Sequence, residues 1–274
     1  MSADPGIKGP KRDEVVAVSH RDLKVRVRIA GKGPAIVYFH PAAGLYWDRF
    51  LDRLAEDYTV YAPEMPGTTP GDPYAIYKVD SYYDLLLIYE EVLRKLGLQG
   101  AIAIGQSMGG MVACDLAAFY VDLFGKLVPL GPCGLWRDDA PSGIPDLYTS
   151  PPQQMAGFLF HDPRTAPGAI EMMTPPSDPE IFPMFVAQIT WVQGCAAKFL
   201  WPFPDYGLRK RLGRIQIPTL ILWGENDRVT PAKHAEDFHT LIANSAIKIY
   251  PQCGHILQME KIEEALADIK RFIA

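Results

Sequence analysis

One serine of this chain stands in a setting that could make it a nucleophile. The apolar run 101–104 ends at a Gly-Gln-Ser-Met-Gly motif at positions 105–109, and a helix-compatible segment follows directly. A strand, a tight turn and a helix in this order hold a serine hydroxyl out at the end of a sheet. Gly105 and Gly109 fit such a turn because it crowds the backbone. We therefore predict that Ser107 is a nucleophile; the alternative is an ordinary turn with a helix-capping serine.

A serine nucleophile needs a base, and Asp227 and His255 could supply one. Like Ser107, each follows a predicted strand, so in a parallel sheet all three would lie at one edge. Neutral serine needs a base in hydrogen-bond reach, and the histidine needs an acceptor, ideally a carboxylate, on its other ring nitrogen. Glu225 is the second choice for that carboxylate. The alternatives are that Asp227 only caps the next helix and that His255 is an ordinary loop histidine.

The elements that would position these residues alternate along most of the chain. Apolar runs predict buried strands at 35–39, 58–62, 101–104, 126–130 and 218–223, with helical segments between most of them. The strictly alternating run 23–29 predicts a half-exposed strand near an antiparallel edge. This rhythm predicts the α/β class, with a mainly parallel sheet and helices on both faces.

The alternation stops between about Leu135 and Leu208. Prolines are dense in this segment, and apolar and aromatic residues continue through it. It is too apolar for a disordered linker and too rich in proline for long helices. We expect residues 135–208 to form an inserted lid of short helices over the carboxyl edge of the sheet, where ligands bind in open α/β sheets. Residues 1–134 and 209–274 would form the core. A packing layer without a gating role is the alternative.

Composition argues against several classes of function. The formal net charge is −5 and no long basic run occurs, which disfavours nucleic acid or an anionic membrane as the main partner. The four cysteines form no zinc-type spacing, as expected for reduced thiols in a cytoplasmic protein. Residues 1–10 lack the apolar core of a signal peptide, and no run is long enough to span a bilayer. No metal or nucleotide motif is present, so we expect no cofactor.

Several motifs in a fixed order resemble those of the α/β-hydrolase fold family, in its lid-bearing branch of serine hydrolases. They are Tyr-Phe-His-Pro at 38–41, Gly-Gln-Ser-Met-Gly-Gly at 105–110, Gly-Glu-Asn-Asp-Arg-Val-Thr-Pro at 224–231 and Gly-His at 254–255. The order serine, aspartate, histidine is also that of the family. The resemblance covers about residues 15–274 and is weakest in the lid. It implies Ser107 as nucleophile, His255 as general base and acid, and Asp227 as its orienting carboxylate.

The resemblance also implies an oxyanion hole. The backbone N–H of Met108 follows the nucleophile and opens a helix, whose dipole favours developing negative charge. The second donor should come from the loop after strand 35–39, where relatives commonly have His-Gly. This chain has His40 and Pro41 there, and proline has no amide proton. The matching donor is then the Ala42 N–H, and His40 is expected to brace the loop.

These observations predict a carboxylesterase-like serine hydrolase. It would cleave a small, largely apolar carboxylic ester through an acyl-enzyme on Ser107, with the aromatic residues of the lid indicating an apolar substrate. The same residues could also support hydrolysis of a C–C bond, a lactone or a thioester, or perhydrolysis. A reading from another class is a ligand-binding receptor on a hydrolase scaffold, with slow or vestigial turnover.

Overall fold

A computed structural model describes residues 7–19, 22–151, 154–166, 168–202 and 205–274. Residues 1–6, which belong to the segment without a signal-peptide pattern, lie outside these ranges. So do residues 152–153, 167 and 203–204 of the expected lid.

A twisted sheet of eight strands, in the order β1-β2-β4-β3-β5-β6-β7-β8, forms the centre of the described structure. The first two strands are antiparallel to their neighbours, and the pairs from β4 through β8 are parallel. The predicted mainly parallel α/β sheet is therefore confirmed. The strands are β1 Arg12–Val18, β2 Leu23–Ala30, β3 Ala35–Phe39, β4 Thr59–Pro63, β5 Ala101–Gln106, β6 Phe124–Leu130, β7 Thr219–Gly224 and β8 Ser245–Tyr250.

Helices lie on both faces of this sheet. Along β3, Val37 and Phe39 pack into a core shared with α2 and α3, whereas Ile36 and Tyr38 pack with α1 and α11. This alternation follows from the period of two along a strand. The helices are α1 Arg49–Leu54, α2 Tyr82–Lys95, α3 Met108–Phe119, α4 Ile144–Thr149, α5 Met155–Leu159, α6 Ala169–Met173, α7 Phe182–Leu200, α8 Arg209–Leu212, α9 His234–Leu241, α10 Leu257–Glu260 and α11 Ile262–Ile273, with a 3-10 helix at Pro73–Lys78.

The segment between β6 and β7 contains α4 to α7, which we call the insertion (residues 135–208). The expectation that its helices are all short is wrong, because α7 has 19 residues. Pro183 lies in the first turn of α7, where proline costs no intrahelical hydrogen bond. The next proline, Pro202, comes after the helix has ended. In the described ranges, α7 and the other helices all lack the combination of length and apolar character that a membrane crossing requires.

Candidate active site

Ser107 occupies a strained turn between β5 and α3. Its φ is 56° and its ψ is −116°, a region that residues with a side chain rarely adopt. The flanking glycines make the turn possible, because a Cβ on Gly105 would lie 2.3 Å from the carbonyl oxygen of Gly109. A Cβ on Gly109 would lie 2.0 Å from the carbonyl oxygen of Phe39. The sharp strand-to-helix turn predicted from the motif is therefore present.

Asp227 and His255 are in direct contact. The Nδ1 atom of His255 lies 2.8 Å from Oδ2 of Asp227, and both side chains are buried. The other carboxylate oxygen, Oδ1, accepts the backbone amides of Val229 at 2.9 Å and Thr230 at 2.8 Å. These amides fix the carboxylate so that Oδ2 faces the imidazole. An acceptor at this place holds the proton on Nδ1 and leaves Nε2 free to accept one.

Glu225, the second choice for the carboxylate, is exposed. Asp227 does not cap the helix that follows it either, since α9 begins at His234 without a side-chain cap. The first choice of carboxylate is thus the one that meets the imidazole.

Two side chains that the sequence analysis missed hold this pair in place. The Thr230 hydroxyl donates to Oδ2 of Asp227 at 2.9 Å. The same hydroxyl oxygen lies 3.1 Å from the carbonyl oxygen of Gly131. Gln106, which is fully buried, donates from Nε2 to the carbonyl oxygen of His255 at 3.0 Å. Gln106 occupies the variable position of the serine motif, and Thr230 belongs to the motif at 224–231. Their types alone gave no signal of these roles.

Ser107 is connected to the pair through the ends of β5 and β6. Its amide donates to the carbonyl oxygen of Leu130 at 2.9 Å. The next residue, Gly131, lies against the pair, since a Cβ there would be 3.2 Å from Oδ2 of Asp227 and 3.6 Å from Nδ1 of His255. Within the described ranges the Ser107 hydroxyl forms no hydrogen bond to His255. Such bonds are often long without a ligand and tighten when substrate binds.

Of the two expected oxyanion donors, Ala42 lies in the loop after β3 and Met108 follows the Ser107 turn after β5. Ala42 is the second residue of a turn closed by the Gly44 amide and the carbonyl oxygen of Pro41, which are 3.0 Å apart. The Met108 amide opens α3, so it has no intrahelical acceptor. The donor roles of Ala42 and Met108 remain predictions.

His40 braces this loop, as expected. Its Nδ1 lies 2.7 Å from the carbonyl oxygen of Pro41, and its Nε2 accepts the Met65 amide at 3.0 Å. Since Nε2 is an acceptor, Nδ1 carries the proton and donates it to Pro41. Burial lowers the pKa of His40, which keeps the ring neutral in this arrangement.

The insertion contacts several loops at this end of the sheet. From α7, Trp191 donates its indole N–H to the carbonyl oxygen of Gly67 at 3.1 Å, and Val192 packs against Gly44. From the end of α5, the carbonyl oxygen of Leu159 accepts the His255 amide at 2.8 Å. The insertion therefore contacts the loops after β3 and β4 and the loop that carries His255.

The insertion brings few cations near the site. Its sequence holds three lysines and arginines. In the described ranges each has a partner: Arg137 with Asp139 at 2.8 Å, Arg164 with Asp162 at 2.9 Å, and Lys198 with the carbonyl oxygen of Val79 at 2.5 Å. In the part of the chain that the structure describes, no three His, Cys, Asp or Glu side chains are grouped so that they could hold a metal ion.

Comparison with known proteins agrees with this architecture. The sequence model of a family described as alpha/beta hydrolase fold matches residues 34–262. A 2-hydroxy-6-oxo-6-phenylhexa-2,4-dienoate hydrolase of Comamonas testosteroni is 26% identical over 271 residues, covering 90% of this chain and 91% of the relative. A 2-hydroxy-6-oxononadienedioate/2-hydroxy-6-oxononatrienedioate hydrolase of the same species is 24% identical over 261 residues, covering 87% of each.

Two solved structures show the same fold. One is a bacterial membrane phospholipase A, with a TM-score of 0.77 and 21% identity, covering 96% of this chain and 85% of that one. The other is a meta-cleavage product hydrolase from Pseudomonas fluorescens, with a TM-score of 0.73 and 18% identity, covering 92% of this chain and 94% of that one.

Proposed function

Since the chain belongs to the α/β-hydrolase fold family, we propose that this hydrolase cleaves a small, largely apolar carboxylic ester through an acyl-enzyme on Ser107. The observation that carries the proposal is the buried contact of 2.8 Å between His255 and Asp227, at the same end of the sheet as the strained Ser107 turn. A carboxylate that orients an imidazole, and an imidazole that can activate a hydroxyl, are the components of nucleophilic acyl transfer.

The reaction begins when Ser107 Oγ attacks the acyl carbon while His255 Nε2 takes its proton. Asp227 stabilises the imidazolium that forms, because its Oδ2 already accepts the Nδ1–H. The amides of Met108 and Ala42 donate to the oxyanion of the tetrahedral intermediate. Collapse breaks the ester C–O bond, and His255 gives the proton to the leaving alcohol. Water activated by His255 then adds to the acyl-enzyme, releasing the acid and restoring Ser107.

The charge of the insertion supports an uncharged substrate. A carboxylate buried beside Ser107 would need a cationic partner. Of the lysines and arginines of residues 135–208 in the described ranges, Arg137 and Arg164 form ion pairs with aspartates, and Lys198 donates to the backbone carbonyls of Ile76 and Val79. In α7 only Lys198 is charged. An apolar ester places no such demand on the site.

We propose further that residues 135–208 act as a lid over the site, with residues 1–134 and 209–274 as the core. The contacts of Trp191 with Gly67 and of Val192 with Gly44 support this role, because they hold α7 above the loops after β3 and β4. Excluding water in this way strengthens the electrostatic interactions beneath the lid.

The second candidate is hydrolysis of a C–C bond. It is favoured by the Comamonas testosteroni relatives, whose names specify hydrolysis of 2-hydroxy-6-oxo-dienoate acids. The same serine, histidine and carboxylate could serve this reaction. Such a substrate carries a carboxylate, so this candidate requires a cation that the described insertion residues do not offer.

A comparison of two substrates tests the proposal. p-Nitrophenyl butyrate and 2-hydroxy-6-oxo-6-phenylhexa-2,4-dienoate are assayed with the wild type and with Ser107→Ala. We expect the wild type to have the higher kcat/KM for the ester. The kcat/KM of Ser107→Ala should be at least about 10³-fold lower than that of the wild type. Preference for the dienoate would favour the second candidate. Full ester turnover by Ser107→Ala would refute both, and one stoichiometric fluorophosphonate labelling event without turnover would indicate a receptor.

A further inference from the structure

The carboxylate of Glu260 joins two distant parts of the chain. Glu260 ends α10, five residues after His255. One of its oxygens accepts the backbone amide of Gly254 at 2.5 Å, and the other accepts the backbone amide of His161 at 2.9 Å. Gly254 directly precedes the proposed base, and His161 belongs to the insertion.

The two backbones that Glu260 joins also contact each other. The carbonyl oxygen of Leu159 accepts the amides of His255 at 2.8 Å and Ile256 at 3.2 Å. A Cβ on Gly254 would lie 2.7 Å from the His161 nitrogen and 2.8 Å from the Leu159 oxygen. Glycine at 254 therefore allows an approach that other residues would block.

A local capping role does not explain this arrangement. Capping could account for the bond from Glu260 to Gly254, because that amide lies just before α10. It does not account for the bond to His161, which is 99 residues away in sequence. A carboxylate that accepts two amides makes charge-assisted hydrogen bonds, which are stronger than those between neutral groups. Both bonds end at backbone, so they fix the path of the chain.

We propose that Glu260 is a positioning residue, which clamps the loop that carries His255 to residues 159–161 of the insertion and so sets the position of the imidazole relative to Ser107. Because His255 is a base only under the proposed function, this role of Glu260 rests on that function. The clamp acts through the backbone amides of Gly254 and His161, whereas Gln106 holds the His255 carbonyl.

The first test removes the carboxylate. Glu260→Ala loses both acceptors, and Glu260→Gln keeps one oxygen while placing an NH2 group against the other amide. Since a displacement of about 1 Å can cost 10²-fold in rate, we expect Glu260→Ala to lower kcat about 10- to 100-fold with KM within about 3-fold of wild type. The kcat of Glu260→Gln should lie between that of Glu260→Ala and that of the wild type. Glu264→Gln, at an exposed position of α11, is the matched control and should retain wild-type kcat.

The second test removes the amide on the insertion side. His161→Pro deletes the N–H that Glu260 accepts, and Phe160 before it is already extended, with φ −118° and ψ 152°, as a residue preceding proline requires. His161→Ala keeps the amide and loses only the ring. We expect kcat to fall in His161→Pro by at least about 10-fold more than in His161→Ala. This pair decides the question even if Glu260→Ala does not fold.

Fluorophosphonate labelling of Ser107 separates the possible failures. If the wild type is labelled at Ser107 and the Glu260 and His161→Pro variants keep wild-type kcat, the clamp is overturned while the proposed function stands. Equal losses in His161→Ala and His161→Pro, or losses confined to KM, would also overturn it. If Ser107→Ala keeps wild-type turnover, the proposed function itself has failed.

Discussion

Gly109→Ala should damage both stability and catalysis. The added methyl group would lie 2.0 Å from the carbonyl oxygen of Phe39 and 2.6 Å from that of His40. The first distance is about 1.4 Å short of ordinary van der Waals contact. Both neighbours are backbone atoms, so β3 or the start of α3 must shift. Overpacking of this kind costs about 1–3 kcal/mol, which corresponds to a fall in Tm of roughly 2–5 °C in a chain of this size.

The same shift would move the Met108 amide, so kcat should fall by about 10²-fold. Gly194→Ala is the matched control, since a Cβ at Gly194 meets no atom within 4 Å. Gly194 lies inside α7, where alanine is more stable than glycine by about 0.5–1 kcal/mol, so its Tm should rise. Differential scanning calorimetry and p-nitrophenyl ester turnover measure both effects. Wild-type Tm and kcat in Gly109→Ala would refute the steric reasoning.

Three further outcomes are expected. Thr230→Val removes the hydroxyl that donates to Asp227 at 2.9 Å; kcat should fall about 10-fold with KM unchanged, and an unchanged kcat would contradict the role given to this bond. Trp191→Phe loses the bond to Gly67 of 3.1 Å; urea denaturation should show a loss of about 0.5–1.5 kcal/mol, and no loss would mean that this bond does not stabilise the insertion. Burial lowers the pKa of His40 below 6.5, so its neutral form stabilises the fold above pH 6.5, and this contribution is lost as the pH falls through the folded-state pKa. As the pH is lowered below 6.5, the urea midpoint should therefore fall less steeply in His40→Gln than in wild type. Equal slopes would contradict the burial of a neutral His40.

The parts of the site that the sequence predicted are those with local causes. The spacing of Gly105 and Gly109 indicated a tight turn at Ser107, because steric crowding there depends on a few consecutive residues. Asp227 and His255 were found because each follows a strand, and parallel strands bring their carboxyl ends to one edge. The alternation of apolar strands and helical segments predicted the α/β class because it, too, is visible in short stretches of sequence.

The parts that the sequence did not reveal depend on contacts between distant residues. Gln106 meets the His255 carbonyl across 149 positions, and Glu260 meets His161 across 99. Contacts between residues so far apart produce no periodic pattern in the sequence from which they could be predicted. The length of α7 has another cause. The insertion is rich in proline overall, which disfavours long helices, but Pro183 lies in the first turn of α7, where a helix tolerates it.

Rapid-quench mass spectrometry of the protein with p-nitrophenyl butyrate tests the central claim most directly. The peptide that carries Ser107 should gain the mass of one butyryl group within the first turnover, and His255→Ala should slow this acylation by at least about 10³-fold. Product formation without an acyl group on Ser107, or with the acyl group on another residue, would contradict the account.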